Sequence, residues 1–293
     1  MHASSWVVVV LSALGGTVSR AEGDAGQQEQ PPSSAEVSAS LTVAETAKLV
    51  TEDAPTVDPG KTEVEFGYNF IATKRTFTGG NDFAKRTTLA GQVFNFNVTH
   101  GLVDGFDAAL GVSLRDVIED DSDELADGLG NVTFKTKWRF FESQDEGVAI
   151  SWLPGFTAPF GGADDSTKVA PGQDFWSLDN TLALTLVAER FNLNVDAGYS
   201  LPIGNERDEQ RGAWIGDVAV GYQLNSWFQP EIEFNYSHGL VSVGGDSDLF
   251  ALTAGAILNL TSSLRLDLGV QQAFYGRNTD ALTTILANVS VTF

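Results

Sequence analysis

The chain has 293 residues, with 17 basic against 39 acidic side chains, a formal net charge of -22, 19 Phe and no Cys. So acidic a balance excludes nucleic acid as a partner, because phosphate binding needs a basic surface, and the lack of cysteine excludes disulfide frameworks, thiolate zinc sites and cysteine nucleophiles. Apolar residues make up 42%, yet beyond the N-terminus no run reaches the roughly 18 to 20 apolar residues that a membrane helix requires. If the chain crosses a membrane, it does so with strands.

Residues 1 to 21 have an apolar centre from Trp6 to Leu14 and small residues at Ser19 and Ala21, the positions a signal peptidase reads. They are expected to be an export signal, although the leading segment carries only His2 in place of Lys or Arg. Residues 22 to 60 are rich in Gln, Pro, Ser, Ala and acids. That composition buries too little apolar surface to order itself, so the segment is expected to be a flexible periplasmic tail.

From residue 61 the pattern changes to alternation. Val64, Phe66, Tyr68 and Phe70 share one strand face, and Glu63, Glu65 and Asn69 the other. Two glutamates on one face would disrupt a dry core; they suit a wet lumen, with the aromatic face turned to lipid. Phe94, Phe96 and Val98 repeat the pattern before a turn expected at HGLVDG, and Leu110, Val112 and Leu114 then oppose Asp107, Ser113 and Arg115. Val132, Phe134, Trp138 and Phe140 next oppose three cations, Lys135, Lys137 and Arg139.

The alternation continues to the C-terminus. Asp196 lies opposite Val195 and Ala197; Glu231 and Glu233 lie opposite Ile232 and Phe234; Arg265 and Asp267 lie opposite Leu266 and Leu268. Short connections near 100 to 105, 142 to 146, 189 to 190, 225 to 227 and 261 to 263 alternate with longer polar ones near 74 to 86, 116 to 128, 160 to 173, 203 to 211 and 239 to 247. These runs predict an all-β fold, a transmembrane antiparallel up-and-down barrel of about 12 strands over residues 61 to 293, with short periplasmic turns and long outer loops.

The last stretch, ALTTILANVSVTF, alternates and ends on Phe293. It resembles the closing strand of bacterial outer-membrane barrels, which implies that Phe293 is the insertion signal read by the barrel-assembly machinery. TEDAPTVDPGKTEVEFGYNF, GLGNVTFKTKWRFF and LPGFTAPFGGADDS resemble segments of the outer-membrane proteins described as "putative MetA-pathway of phenol degradation". The resemblance spans about residues 50 to 293. It implies a β-barrel transporter for hydrophobic or aromatic compounds, with no catalytic residues and no cofactor.

Catalysis is not expected from the residues either. His2 leaves with the signal, His100 falls in the expected turn, and Ser237 and His238 are adjacent, so on a strand they point to opposite faces and cannot act as nucleophile and base. Residues 115 to 128 hold a run of acids that could supply oxygen ligands, but they lack the EF-hand spacing and read as a solvated loop, so no metal is expected. The expected lumen lining is Glu63, Glu65, Asp107, Arg115, Lys135, Lys137, Arg139, Asp196, Glu231, Glu233, Arg265 and Asp267.

The chain is thus expected in the bacterial outer membrane, surrounded by its lipid, as a channel for a small-molecule solute. The alternative is a closed structural or adhesive barrel whose acidic loops bind cations or partners. Mixed lumen charges would either seal the barrel by a cross-lumen network or line a solute path with opposite signs on two walls.

Overall fold

The computed structural model describes residues 48–80, 82–119, 124–160, 175–203, 210–241 and 245–293. Thirteen strand segments follow in chain order: β1 (Thr62–Gly79), β2 (Asp82–Val103), β3 (Phe106–Glu119), β4 (Glu124–Ser143), β5 (Val148–Pro159), β6 (Trp176–Ala188), β7 (Phe191–Ile203), β8 (Gln210–Tyr222), β9 (Phe228–Val241), β10 (Ser247–Asn259), β11 (Leu264–Arg277), β12 (Thr279–Asp280) and β13 (Thr283–Thr292). Each pairs antiparallel with its neighbour, and β1 pairs with both β2 and β13, which closes the sheet. The two-residue β12 lies on β1 beyond β13, with Thr76 opposite Asp280. Together β12 and β13 make one stave of a 12-stave barrel, as the alternation predicts.

Closure follows from the chemistry of the first and last strands. An open edge would leave unpaired N–H and C=O groups in lipid, at a cost of several kcal/mol each. The β1–β13 ladder runs from Glu63 opposite Thr292 to Ala72 opposite Thr283. Thr62 and Phe293 exchange backbone hydrogen bonds of 2.8 and 3.0 Å, so both ends of the barrel chain meet at one rim.

The two faces sort as the alternation requires. Phe66, Phe96, Leu110, Phe134, Trp138, Leu182, Ile232, Phe234 and Ile285 are exposed on the outside, while Asn192, Asn194, Asp196, Glu231, Glu233, Thr253 and Asp267 are buried within. Aromatic side chains meet across neighbouring staves, for example Tyr199 and Trp214 with ring centroids 4.6 Å apart. An apolar exterior around a polar interior is the arrangement of a barrel in lipid, the reverse of a soluble fold.

Several boundaries differ from the sequence reading. The connection near 74 to 86 is a tight hairpin at Gly80, because β1 and β2 run on to Gly79 and Asp82. His100 lies in β2 opposite Thr62, and the turn falls at Asp104 and Gly105, whose φ of 71° a residue with a Cβ rarely adopts. β3 and β4 extend through most of the acidic run at 115 to 128, while residues 120 to 123 and the loops at 161–174 and 204–209 lie outside the described residues.

The largest difference concerns the expected tail. Residues 1–47, and with them the expected signal, lie outside the described residues, but residues 48 to 57 are folded inside the barrel and residues 58 to 60 lie exposed at its rim. Asp58 and Pro59 run against Gly101, where an added Cβ would collide with the carbonyls of Val57 and Asp58. Gly60 then bonds the Gly101 carbonyl at 2.8 Å, and the chain turns into β1. Composition speaks only to what the segment can bury by itself; here the barrel wall supplies its partners.

Candidate functional site

An extended segment inside a barrel must find partners for its backbone groups, and here wall side chains supply them. The Glu233 carboxylate accepts the N–H groups of Leu49 at 2.8 Å and of Val50 and Thr51 at 3.1 Å. Asp196 accepts from Glu52 at 2.7 Å, Thr185 Oγ1 from Ala54 at 3.0 Å, and Asp107 from Val57 at 3.0 Å. Ser151 Oγ donates to the Ala54 carbonyl. Residues 49 to 57 therefore cross the lumen from β9 past β7, β6 and β5 to β3.

Ion pairs fix the same segment. Lys48 Nζ lies 2.9 Å from Glu231 and 2.7 Å from Asn192 Oδ1, with both charged side chains almost wholly buried. On the far wall Lys135 holds Glu52, and Lys137 lies 2.9 Å from Asp53 while also donating to the Pro55 carbonyl at 3.1 Å. Apolar contacts add to this. Ala54 packs with Ala149, Leu153 and Ala183, and Leu49 lies over Gly255 and Gly269, where a Cβ would come within 2.7 and 3.2 Å of its Cδ1.

Ordering a residue costs about 1–2 kcal/mol of backbone entropy, and a hydrogen bond to a charged group returns about 1.5–3 kcal/mol. With roughly one such bond per residue, the segment is held near balance. Glu52 shows how the electrostatics are arranged: burial works to raise its carboxyl pKa, but Lys135 and Lys137 and the hydrogen bond from Lys135 hold it below its usual value. The carboxylate is thus kept ionised against the cationic wall.

A family model described as "Putative MetA-pathway of phenol degradation" matches residues 46–289. The chain belongs to this family. Among solved structures, the COG4313 outer membrane channel from Pseudomonas putida F1 superposes with a TM-score of 0.75 at 13% identity, covering 84% of this chain and 100% of that one. The NanC porin superposes with a TM-score of 0.50 at 10% identity, covering 78% and 98%. At these identities the likeness is one of fold, that of an outer-membrane barrel. A comparison with curated proteins finds no match.

In this family member the expected lumen residues divide into three groups. Asp107, Lys135, Lys137, Asp196, Glu231 and Glu233 all contact the crossing segment. Arg265 gathers Glu63 at 3.6 Å, Glu65 at 3.9 Å and Asp267 at 3.3 Å beside the β1–β13 seam, and donates to Ser290 at 3.1 Å. The third group lies away from the segment. Arg139 pairs with Asp104 of the adjacent turn at 2.8 Å and Glu142 at 3.0 Å, so it belongs to the rim. Arg115 lies opposite Val93 and is exposed, toward the end of the barrel away from the chain termini.

The sequence reading missed Lys48, Leu49, Glu52 and Asp53. One signal was available: the family-like stretch begins at Thr51, ahead of the first strand, where a mere tether has no need of a fixed sequence. The histidines take local roles. His100 Nδ1 lies 3.0 Å from Thr62 Oγ1, and His238 Nδ1 lies 2.7 Å from Asp248.

Proposed function

We propose that this chain is an outer-membrane channel for small hydrophobic or aromatic molecules, held closed by residues 48 to 57. The observation that carries this reading is the pairing of the wall cations. Lys135 and Lys137 are neutralised by Glu52 and Asp53 of the crossing segment, so withdrawing the segment would free a cationic wall facing the carboxylates of Asp196, Glu231 and Glu233. Both of the charge arrangements read from the sequence then belong to one molecule: a network that seals the lumen and a two-signed path when the segment leaves. At the other end of the barrel the exposed Phe83 ring rests on the buried Phe77, with centroids 4.8 Å apart, and offers an aromatic contact for flat apolar solutes.

Conductance in planar bilayers tests the reading with the full chain and its Glu52→Gln, Asp53→Asn double variant. The parent should be mostly closed and the double variant should show frequent open steps. Phenol flux into proteoliposomes should rise in the same order. A folded double variant as silent as its parent would favour the closed structural barrel instead.

A further inference from the structure

We propose that the lumen wall carries a binding site for amphiphilic primary amines, which Lys48 and Leu49 of the crossing segment occupy in the closed barrel. The inference names a solute class for the lumen, so it rests on the channel reading for transport but not for binding.

The site is one row of the lumen face. Pairing sets Asn192 of β7 opposite Gly221 of β8, Gly221 opposite Glu231 of β9, Glu231 opposite Gly255 of β10, and Gly255 opposite Gly269 of β11. Residues directly opposite one another on antiparallel strands share a face. Because Gly221 has no side chain, those of β7 and β9 close over β8. A Cβ on Gly221 would come within 2.7 Å of Asn192 Oδ1 and of Gln229 Nε2.

The wall holds its own acceptors in place. Asn192 Nδ2 donates to Gln229 Oε1 at 3.1 Å, and Gln229 Nε2 donates to Glu231 Oε2 at 3.1 Å. Gln229 thus fixes both neighbours, and Asn192 Oδ1 and Glu231 Oε2 converge on one point, where Lys48 Nζ sits 2.7 and 2.9 Å away. All three wall side chains are buried. One carboxylate and one amide oxygen, oriented in advance on rigid strands, match an alkylammonium, which brings a single positive charge and several N–H donors.

The other half of the site is apolar. Gly255 and Gly269, next along the row, bare a patch of wall on which Leu49 rests, since Cβ atoms there would come within 2.7 and 3.2 Å of its Cδ1. The ammonium point lies between β7 and β9 and the patch lies over β10 and β11, two to three staves away, or roughly 10 Å at the usual strand spacing. A primary amine with an apolar group at that distance, such as 4-phenylbutylamine, reaches both. In the closed barrel one dipeptide supplies the two groups. Withdrawing the segment leaves Glu231 without its cation, and an incoming ammonium restores the pair.

The test is calorimetric titration of 4-phenylbutylamine into the full-length protein in dodecyl maltoside micelles, with titration into empty micelles subtracted. The parent, whose site is filled, should bind weakly. The Lys48→Ala, Leu49→Ala double variant empties both halves of the site and should bind one equivalent at least tenfold more tightly. Adding Glu231→Gln should lose at least tenfold again. Adding Gly221→Ala instead, which presses a methyl group on Asn192 and Gln229 without changing any charge, should also weaken binding. 4-Phenylbutanol, which lacks the charge, and the trimethylammonium analogue, which lacks the donors, should each bind the double variant at least tenfold more weakly than the amine. A folded double variant that binds the amine no better than the parent, or binds either analogue as well as the amine, would overturn the proposal, as would undiminished binding after Glu231→Gln. The titration reads binding whether or not the barrel conducts, so tight amine binding by a silent barrel sustains the site and overturns only the channel reading.

Discussion

Glu233 holds Leu49 through a 2.8 Å hydrogen bond from its backbone N–H, and the same carboxylate takes the N–H groups of the next two residues. One wall residue thus fixes the segment where it begins to cross the lumen. In Glu233→Gln the shape is kept, but one acceptor oxygen becomes a donor facing N–H groups. A loss of about 1.4 kcal/mol is a tenfold change in an equilibrium. The chain has no cysteine, so a single Thr51→Cys reporter, at a buried position, can be followed by maleimide labelling. Labelling should quicken about tenfold or more in the Glu233→Gln background. An unchanged rate would mean that Glu233 does not hold the segment.

Lys137 joins the segment to the wall in the opposite sense, as a wall cation on a segment carboxylate. Both partners are largely shielded, with side-chain exposures of 15% for Lys137 and 21% for Asp53. Removing one charge of such a pair strands the other, at a cost of about 3 kcal/mol. Lys137→Gln should lower the urea midpoint for unfolding in detergent micelles, and Asp53→Asn added to it should restore part of the loss. Additive effects of the two changes would show that the pair is not coupled.

The barrel was legible in the sequence because period-two alternation, with aromatic residues on one face and acids on the other, is imposed directly by lipid outside and water inside. Glu63, Glu65, Asp196, Glu231 and Glu233 were placed on the lumen side on that ground alone. What they bind was not legible. Local composition decides whether a segment can fold by itself, and residues 48 to 60 cannot; their order comes from Glu233, Asp196, Lys135 and Lys137, which lie 80 or more positions away in the chain. Arg139 shows a second limit: alternation gives the face of a side chain but not its height, and its partner Asp104 is fixed by where the β2–β3 turn falls.

The segment should also release in acid. Lys135 and Lys137 hold the Glu52 carboxyl below its usual value despite burial, so its folded pKa lies under its unfolded one. Its contribution is therefore fully present above the unfolded value of about 4.3 and disappears as the pH falls through the lower folded value. Thr51→Cys labelling should stay slow from pH 7 to about pH 5, when corrected for the intrinsic thiol rate, and speed up below about pH 4. Other carboxylates titrate in that range, so Glu52→Gln is the control. It should label faster at neutral pH and show a shallower acid response. A profile identical to the parent's would remove Glu52 from the pH dependence.

Phe293 closes the molecule on itself. Its N–H and C=O bond Thr62 at 3.0 and 2.8 Å, and the residue is 71% exposed at the rim. A residue so placed contributes little packing to the finished barrel, but it completes the last rung of the seam and presents an aromatic ring beyond it. Deleting Phe293 should therefore slow assembly more than it weakens the product. The checks are the rate at which the heat-modifiable folded band appears on insertion by purified assembly machinery, and the urea midpoint of the barrel that does form. We expect the rate to fall at least tenfold with a midpoint close to the parent's. A normal rate would exclude Phe293 as an insertion signal, and a normal rate with a much lowered midpoint would make it a structural clasp instead.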